Sequence, residues 1–294
     1  MKLIPPSVQF LGITPTGYNG VLEHIEIAGR TCYKSEDKIS NDSADKFVRK
    51  LINAGHLAMV EHSNFVVMKD VFGLDWEDFV SLDNKIGKYL NHVIEGDTLF
   101  IGGSLTAWSN QVNHMLLGMA CVADSLFEPF IIRYGDLFGV YEEVDNFEWK
   151  VCPHENIPKS LHRYSVKFIC DRGVGHEIVR HRPCSFAQES TRYVNYGDKD
   201  MEFIEPAGYD KWSKHQKYLL NDACAYAQIA YNDLLDEGFK PQQARAVLLN
   251  ALKTEIIVTA DAAEWRHIKK LRTHPSAHPD MVRIMNMVPW EDII

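Results

Sequence analysis

The sequence has no long uninterrupted apolar run. Its most apolar stretch, His114 to Ile132, is interrupted by Asp124, Glu128 and Pro129. A membrane-spanning helix needs ~20 mostly apolar residues, so this stretch predicts a core helix and its exit, and no membrane association. The first residues, MKLIPPSVQFLGITPTG, contain two adjacent prolines and lack the apolar segment of a secretory signal.

Paired cysteine motifs are also absent. The chain has 294 residues and six scattered cysteines without a Cys-x-x-Cys pair. This pattern indicates reduced thiols and predicts a cytoplasmic protein. Cys152 and His154 are too few to indicate a metal site, so we expect no metal. The cysteines are Cys32, Cys121, Cys152, Cys170, Cys184 and Cys224.

Positive charge is scarce as well. The chain has 31 basic and 40 acidic residues, and its net charge is −9. A nucleic-acid-binding domain usually has a basic surface, so the balance predicts no nucleic-acid partner. A local basic pocket for a small phosphorylated ligand remains compatible with it. The apolar content of 46% is that of a soluble globular protein.

Local patterns predict both strands and helices. Residues 64–68 and 164–170 have strand patterns, and a short helix is expected to follow the second strand into the 180s. A helix is expected over 41–55, with Asn41 or Ser43 as N-cap and Gly55 at its end. A second helix is expected over 211–237, ended by Gly238. Pro241 suits the first turn of a further helix.

Asp261 can cap a helix that carries Trp265, Ile268 and Leu271, and prolines separate it from a last short helix. Between about 70 and 160 the sequence has helix-like stretches at 76–82 and 105–117, and no linker composition. We therefore predict a single domain over 1–294 with a helical insertion at about 70–160.

The segment from His176 to Tyr193, HEIVRHRPCSFAQESTRY, concentrates polar groups. If a helix ends near 182, three guanidiniums and an imidazole emerge at one loop. Arginine offers a planar fork of donors that suits phosphate oxygens or a pyrimidine edge. Hydroxyls and backbone N–H groups at Ser185, Ser190 and Thr191 would add to a phosphate-binding loop.

Two other readings of this segment fail on spacing. His176-Glu177 begins like a zinc-protease helix, but the second histidine follows at i+5 and would leave the metal-binding face. A serine-hydrolase elbow needs glycines on both sides of the serine, and Ser185 and Ser190 lack them. A solvated basic turn, with arginines paired to Glu177 and Glu189, stays open.

Arg180-His181-Arg182, seven residues and then Ser190 resembles the motif of the flavin-dependent thymidylate synthases, the thymidylate synthase-complementing family. The continuation Ser190-x-Arg192-Tyr193 is also similar to that family. Four further blocks resemble the family in the expected order: Arg30-Thr31-Cys32-Tyr33, Ala54 to His62, Pro241 to Leu248, and Trp265 to Pro279. The resemblance covers about residues 20–69 and 160–287.

The resemblance implies an α+β fold, with a mixed sheet packed with long helices, and an enzyme that converts dUMP to dTMP. The carbon donor would be methylenetetrahydrofolate, and NADPH would reduce FAD. A homotetramer with active sites at subunit interfaces is expected. The residues expected to hold FAD are His56, Glu61, Arg180, His181, Arg182, Cys32, Asp261 and His267.

For dUMP, the resemblance implies that Arg272 is the catalytic residue, because it would contact the uracil and favour its ionised form. Arg245 would reach the phosphate. The other residues expected around dUMP are Glu177, Arg180, Gln188, Glu189, Ser190, Thr191 and Arg192.

The sequence also departs from the family pattern. Cys32 and Ala58 replace hydroxyl residues expected near the FAD phosphate, Glu177 stands where Gln is frequent, and Ala187 stands where Asn or Ser is frequent. The distance from Glu61 to Arg180 is roughly 100 residues longer than in compact members, the basis of the predicted insertion. Two alternatives stay open: a pyrimidine nucleotide hydroxymethylase, and a non-catalytic nucleotide-binding relative.

Overall fold

The structure, a computed structural model, describes residues 1–71, 90–117, 127–138, 149–197 and 200–294. Its contacts group the chain into two compact units. The first unit contains residues 1–12, 29–37 and 165–294, and the second contains residues 13–28 and 38–164. Within the described ranges, no helix combines the length and the apolar character needed to span a membrane.

The strands are β1 (Lys2–Ile4), β2 (Ser7–Ile13), β3 (Phe65–Asp70), β4 (Asn91–Glu95), β5 (Thr98–Gly103), β6 (Lys150–Val151), β7 (Arg163–Asp171), β8 (Ser185–Gln188), β9 (Glu202–Ile204) and β10 (Lys253–Asp261). The helices are α1 (Tyr18–Tyr33), α2 (Ser43–Asn53), α3 (Leu57–Val60), α4 (Leu105–Leu117), α5 (Glu128–Phe138), α6 (Arg172–Ile178), α7 (Lys214–Asp236), α8 (Pro241–Ala244), α9 (Ala262–Arg272) and α10 (Pro279–Met285).

The first unit is built on a four-stranded sheet in the order β2-β7-β10-β8. Strand β10 is buried along almost its whole length because both of its faces are covered, whereas β7 alternates in burial from Val166 onwards. Trp265 and Ile268 of α9 are buried, and the Trp265 ring contacts the rings of Phe168 and Trp290. The spacing of Cys224, Ala227 and Tyr231 gives α7 one buried face, which packs on Met201 and Phe203.

The second unit has its own four-stranded sheet, in the order β4-β5-β3-β6. Neighbouring strands pair antiparallel, and β5 lies between β4, its hairpin partner, and β3. Its core is aromatic: the Trp108 ring packs on Phe65, Phe127 and Phe130, and its indole N–H donates to the Phe65 carbonyl at 3.0 Å. This bond satisfies a donor that burial would otherwise leave without water.

The helical insertion predicted for about 70–160 is wrong in its secondary structure. The described part contains β4, β5 and β6 as well as α4 and α5. The Gly96 turn between β4 and β5, with a φ of 60°, favours a hairpin over a helix. The helix expected over 76–82 lies outside the described residues, whereas the one over 105–117 is confirmed. The single-domain prediction stays a prediction.

The predicted helix boundaries hold within a few residues. Gly55 and Gly238 have φ values of 71° and 87°, as a residue after a helix end requires. The predicted caps of α2 are wrong: Asp42 occupies the N-cap position, because the Ser43 hydroxyl instead bonds Glu26 at 2.8 Å. Helix α7 begins at Lys214 because Ser213 and Gln216 form a capping box.

Five cysteines are free thiols and buried in the part of the chain that the structure describes: Cys32, Cys152, Cys170, Cys184 and Cys224. Cys121 lies outside the described residues. Burial raises the pKa of the Cys32 thiol to about 12, a direction that keeps it protonated at neutral pH.

Candidate functional site

The loop with the predicted motif follows α6 in the first unit. Asp171 caps this helix, its carboxylate accepting from the Val174 N–H at 2.8 Å. The helix ends at Ile178, four residues earlier than the sequence predicted. Consequently Arg180 and Arg182 are exposed on a turn, whereas His181 between them is only 6% exposed. The two guanidiniums emerge as expected; the imidazole does not.

A close contact holds α6 against β8. A Cβ at Gly175 would come within 2.8 Å of the Gln188 amide nitrogen, so a side chain at this position would displace the Gln188 amide. The Gln188 amide donates to the Thr254 hydroxyl at 3.3 Å. Glycine at this position therefore lets the predicted dUMP residue Gln188 lie between a helix and a central strand.

His181 lies at the centre of a network that we call the His181 network, formed by Glu177, His181, Glu264, His267 and Arg272. Arg272 Nε donates to His181 Nε2 at 2.9 Å, and His181 Nδ1 lies 3.2 Å from Glu264 Oε1. Arg272 Nη1 donates to a Glu177 carboxylate oxygen at 3.0 Å, and Nη2 donates to the Glu177 carbonyl at 3.1 Å. Two distant parts of the sequence, residues 177–181 and 264–272, thus meet at one guanidinium.

The network favours a neutral imidazole. Burial is the largest cause, and the neighbouring Arg272 and His267 add to it, so that the pKa of His181 falls to about 4. The His267 ring meets the His181 ring edge-on, with centroids 5.9 Å apart. Burial raises the pKa of Glu264. The nearby His267 lowers this pKa, and Asp261 raises it.

The ligand atoms of His181, Glu264 and His267 all lie within 4.8 Å of one another, a spacing that could hold a metal ion. Two contacts oppose this use. Arg272 brings a fixed positive charge to 2.9 Å from the His181 ring, and the Nδ1 atom already faces Glu264. A divalent ion would have to overcome both the charge repulsion and the loss of the hydrogen bond.

The segment after β8 forms a turn around Ser190. The Ser190 N–H donates to the Cys32 carbonyl at 3.0 Å, and the Ser190 hydroxyl accepts from the Arg192 N–H at 3.3 Å. The exposed Arg192 guanidinium lies over the Tyr193 ring, 5.2 Å from its centroid. Thr191 is buried at the turn. Arg192 is therefore available to an anion at the surface.

Ser185 does not belong to this loop, contrary to the prediction. It lies in β8, opposite Thr259 of β10, and is buried. Strand pairing consumes the backbone groups that the phosphate-binding hypothesis assigned to it.

Glu189 points into a second charged group, which we call the Glu255 cluster: Lys34, Lys167, Glu189, Lys253 and Glu255. The Glu255 carboxylate binds the ammonium groups of all three lysines, with Lys167 at 2.6 Å and Lys253 at 2.8 Å. Burial would raise the pKa of Glu255, but the hydrogen bonds from Lys167, Lys253 and Lys34 lower it to about 2. The Tyr196 hydroxyl donates to Glu189 at 2.8 Å.

The remaining predicted residues lie elsewhere. Arg245 is exposed in the short turn after α8, and Asp261 caps α9 by accepting from the Glu264 N–H at 2.8 Å. His56 and Glu61 belong to the second unit, on either side of α3. Burial raises the pKa of Glu61, and Arg163 partly offsets this. The FAD and dUMP contacts of all predicted residues stay predictions.

Sequence reasoning missed Glu264 and every member of the Glu255 cluster except Glu189. The spacing Asp261-x-x-Glu264 resembles a capping box, which could have drawn attention to Glu264. No local signal joins Lys34 to Glu255, which is 221 positions away.

Comparison with known proteins supports the predicted family. Residues 159–289 match the family described as thymidylate synthase complementing protein. This segment contains the loop at 180–192 as well as Arg245 and Arg272. The resemblance predicted from the sequence is thereby confirmed for this part of the chain.

Two individual relatives are named as flavin-dependent thymidylate synthases. A flavin-dependent thymidylate synthase of Geobacter sulfurreducens is 37% identical over 101 residues, which are 34% of this chain and 43% of that protein. One from Mycobacterium tuberculosis is 32% identical over 142 residues, or 42% of this chain and 56% of that protein. The chain therefore spans about half the length of the curated relatives it matches.

A similar solved structure is the UMP/dUMP methylase PolB from Streptomyces cacaoi bound with 5-Br dUMP. It is 15% identical, with a TM-score of 0.41, over 98% of this chain and 90% of that chain.

Proposed function

We propose that this chain is a flavin-dependent thymidylate synthase, which methylates dUMP to dTMP with methylenetetrahydrofolate as carbon donor and NADPH as reductant of FAD. The observation that carries the proposal is the arrangement of Arg272. Its guanidinium is fixed by three hydrogen bonds beside a loop that presents Arg180 and Arg182. Both features lie in the segment that matches the family.

The chemistry requires a fixed cation. The C5 atom of uracil is a weak nucleophile, and it reacts better when negative charge on N3 and O4 is stabilised. A pre-oriented guanidinium supplies that stabilisation without reorganising during the reaction. Arg272 has five N–H donors, of which its three contacts use three. One N–H on each Nη atom is left for the pyrimidine.

The residues near His181 suit a dinucleotide cofactor. Arg180 and Arg182 are exposed donors that match diphosphate oxygens. The neutral His181 adds no charge to the site, and α9 begins beside it at Asp261. When bound, FAD would supply the hydride, and these residues would bind and orient it.

For dUMP, we propose that Arg192, Ser190 and Thr191 bind the sugar and phosphate, with Arg245 completing the phosphate site. Arg192 and Arg245 are exposed, as ligand-binding cations must be. Gln188, whose amide lies beside Gly175, and Glu177, which binds Arg272, would face the base. Glu189, 2% exposed, would act on dUMP only through its neighbours.

Homo-oligomer assembly is part of the proposal, and a tetramer is the expected form. Four large apolar side chains of α7 are exposed: Tyr218, Leu219, Tyr226 and Ile229. Their spacing puts them within one arc of the helix surface. An apolar stripe of this kind is typical of a subunit interface.

A cytoplasmic location is also proposed, in keeping with the buried free thiols.

The experiment is to purify the chain and test its absorbance and its reaction. We expect a yellow protein, or one that turns yellow with added FAD, and dTMP when dUMP, methylenetetrahydrofolate and NADPH are supplied. Formation of hydroxymethylated product would favour a pyrimidine hydroxymethylase. A protein that binds dUMP and never binds FAD would contradict the proposal and favour a non-catalytic nucleotide binder.

A further inference from the structure

Glu264 has no role in the function proposed above, yet it touches the centre of the His181 network. It is the third residue of α9, and its N–H donates to the Asp261 cap at 2.8 Å. Its side chain is 13% exposed, and its Oε1 lies 3.2 Å from His181 Nδ1. A carboxylate in the first turn of a helix is favoured by the helix dipole. Glu264 is therefore held firmly at both backbone and side chain.

The hydrogen bonds fix which nitrogen of His181 carries the proton. An arginine side chain only donates hydrogen bonds. Since Arg272 Nε donates to His181 Nε2, that nitrogen must be the unprotonated acceptor. The ring proton is then on Nδ1 and is donated to Glu264. If His181 Nε2 carried the proton, its N–H would face the N–H of Arg272 Nε at 2.9 Å, and neither group could accept.

We propose that Glu264 is a positioning residue, which holds His181 in its Nδ1-protonated tautomer and thereby fixes Arg272 for the pyrimidine. The expected effect on dTMP formation rests on the proposed function. The tautomer of His181 rests only on the hydrogen bonds of the network. Glu177 holds the two Nη atoms of the same guanidinium, and His181 holds Nε. Removing the Nε contact would let the fork rotate about the Glu177 contacts.

The neighbours of His181 support this assignment. The charged or titratable groups that face the ring are Glu264, Arg272 and His267. Only Glu264 among them can accept the Nδ1 proton at hydrogen-bonding distance. Burial and the nearby cation lower the pKa of His181, so the ring stays neutral and the tautomer is the remaining variable. Arg272 and Glu264 set it together, Arg272 by donating to Nε2 and Glu264 by accepting the Nδ1 proton, which keeps the ring turned towards Arg272.

The test compares Glu264→Ala with Glu264→Gln by NMR of the histidine ring nitrogens in isotope-labelled protein. His181→Gln identifies the His181 signals among the 13 histidines. We expect the Nδ1-protonated tautomer in the unsubstituted protein and in Glu264→Gln, because the amide oxygen still accepts. Glu264→Ala should populate both tautomers. An unchanged tautomer in Glu264→Ala, or an Nε2-protonated ring in the unsubstituted protein, would overturn the proposal.

Activity gives the second readout. Loss of a hydrogen bond to a charged group is worth a factor of roughly 10 to 100, so Glu264→Ala should lower kcat for dTMP formation by that factor. Glu264→Gln should retain most of it, although it loses the same charge. Lys270→Ala, at an exposed position of the same helix, controls for helix stability. Equal losses in Glu264→Ala and Lys270→Ala would overturn the positioning role.

The two proposals can fail separately. If the unsubstituted protein forms no dTMP, the proposed function fails, and the ring NMR still decides the role of Glu264. If Zn²⁺ shifts the His181 ring signals and Glu264→Ala abolishes that shift, these residues form a metal site, and the positioning proposal is overturned.

Discussion

Glu255 and His181 are the centres of two buried charged clusters in the first unit, and their partners differ in kind. Glu255 is surrounded by three lysines, so its negative charge is more than balanced and its oxygens are saturated. His181 is neutral and links Glu264 to Arg272, whose guanidinium keeps two free N–H groups. The first arrangement is complete without a ligand, whereas the second retains donors for one.

This difference predicts that the Glu255 cluster serves stability and that the His181 network serves function. A buried ion pair contributes little net stability when intact, but breaking it leaves a buried charge unpaired. The Glu255 cluster should therefore matter to folding. The His181 network contains one cation, Arg272, where the Glu255 cluster contains three. It also lies beside the exposed Arg180 and Arg182, so it should matter to binding and catalysis. Substitutions in each cluster test this distinction.

The largest effect is expected for Glu255→Gln. The amide keeps the shape but leaves Lys34, Lys167 and Lys253 without their shared counter-charge. We expect the free energy of unfolding to fall by roughly 3–5 kcal/mol, measured by urea denaturation. Glu36→Gln is the matched control, because Glu36 is a more exposed partner of Lys34 and Lys167. It should cost less than about 1 kcal/mol, and equal losses would contradict the distinction.

Arg272→Ala should have the next largest effect, and on turnover instead of folding. Loss of a pre-oriented donor at a developing negative charge typically lowers kcat by roughly 10²- to 10³-fold. Flavin reduction by NADPH should stay measurable, because the loop at Arg180 and Arg182 is unchanged. Rapid-mixing absorbance would follow flavin reduction, and product analysis would follow dTMP. Unchanged turnover would refute the role assigned to Arg272.

The smallest effect is expected from pH. His181 and the buried His24 have pKa values lowered to about 4 from 6.5, so the folded chain binds fewer protons than the unfolded chain between these values. Stability should therefore decrease as pH falls through this window. The contribution of Glu255 is present above its ordinary pKa of 4.5 and is lost as pH falls towards 2.

Denaturation midpoints across pH would measure the two steps. His181→Gln should flatten the step between pH 6.5 and 4, whereas Glu255→Gln should flatten the step below it. If both substitutions altered the same step, the two clusters would not titrate independently.

Much of the local structure could be predicted from the sequence, because its signals lie within a few residues of one another. The cap at Asp261, the glycine after α7 and the strand before Arg172 each depend on short-range hydrogen bonding or burial. The motif from Arg180 to Ser190 identified the family for the same reason, since its spacing is local. Of the ten described strands, only β3 and β7 were predicted, because the apolar patterns of the other strands are short or ambiguous.

The motif, the C-terminal ends of α2 and α7 and the chemistry available to the loop could all be derived from the sequence. Only the tertiary structure decided that His181 is buried while Arg180 and Arg182 are exposed, because the helix before them ends at Ile178. It alone joined Arg272 to Glu177, 95 positions away, and Glu255 to Lys34, 221 positions away. Contacts over such separations depend on sheet order and packing, and neither leaves a periodic pattern in the chain.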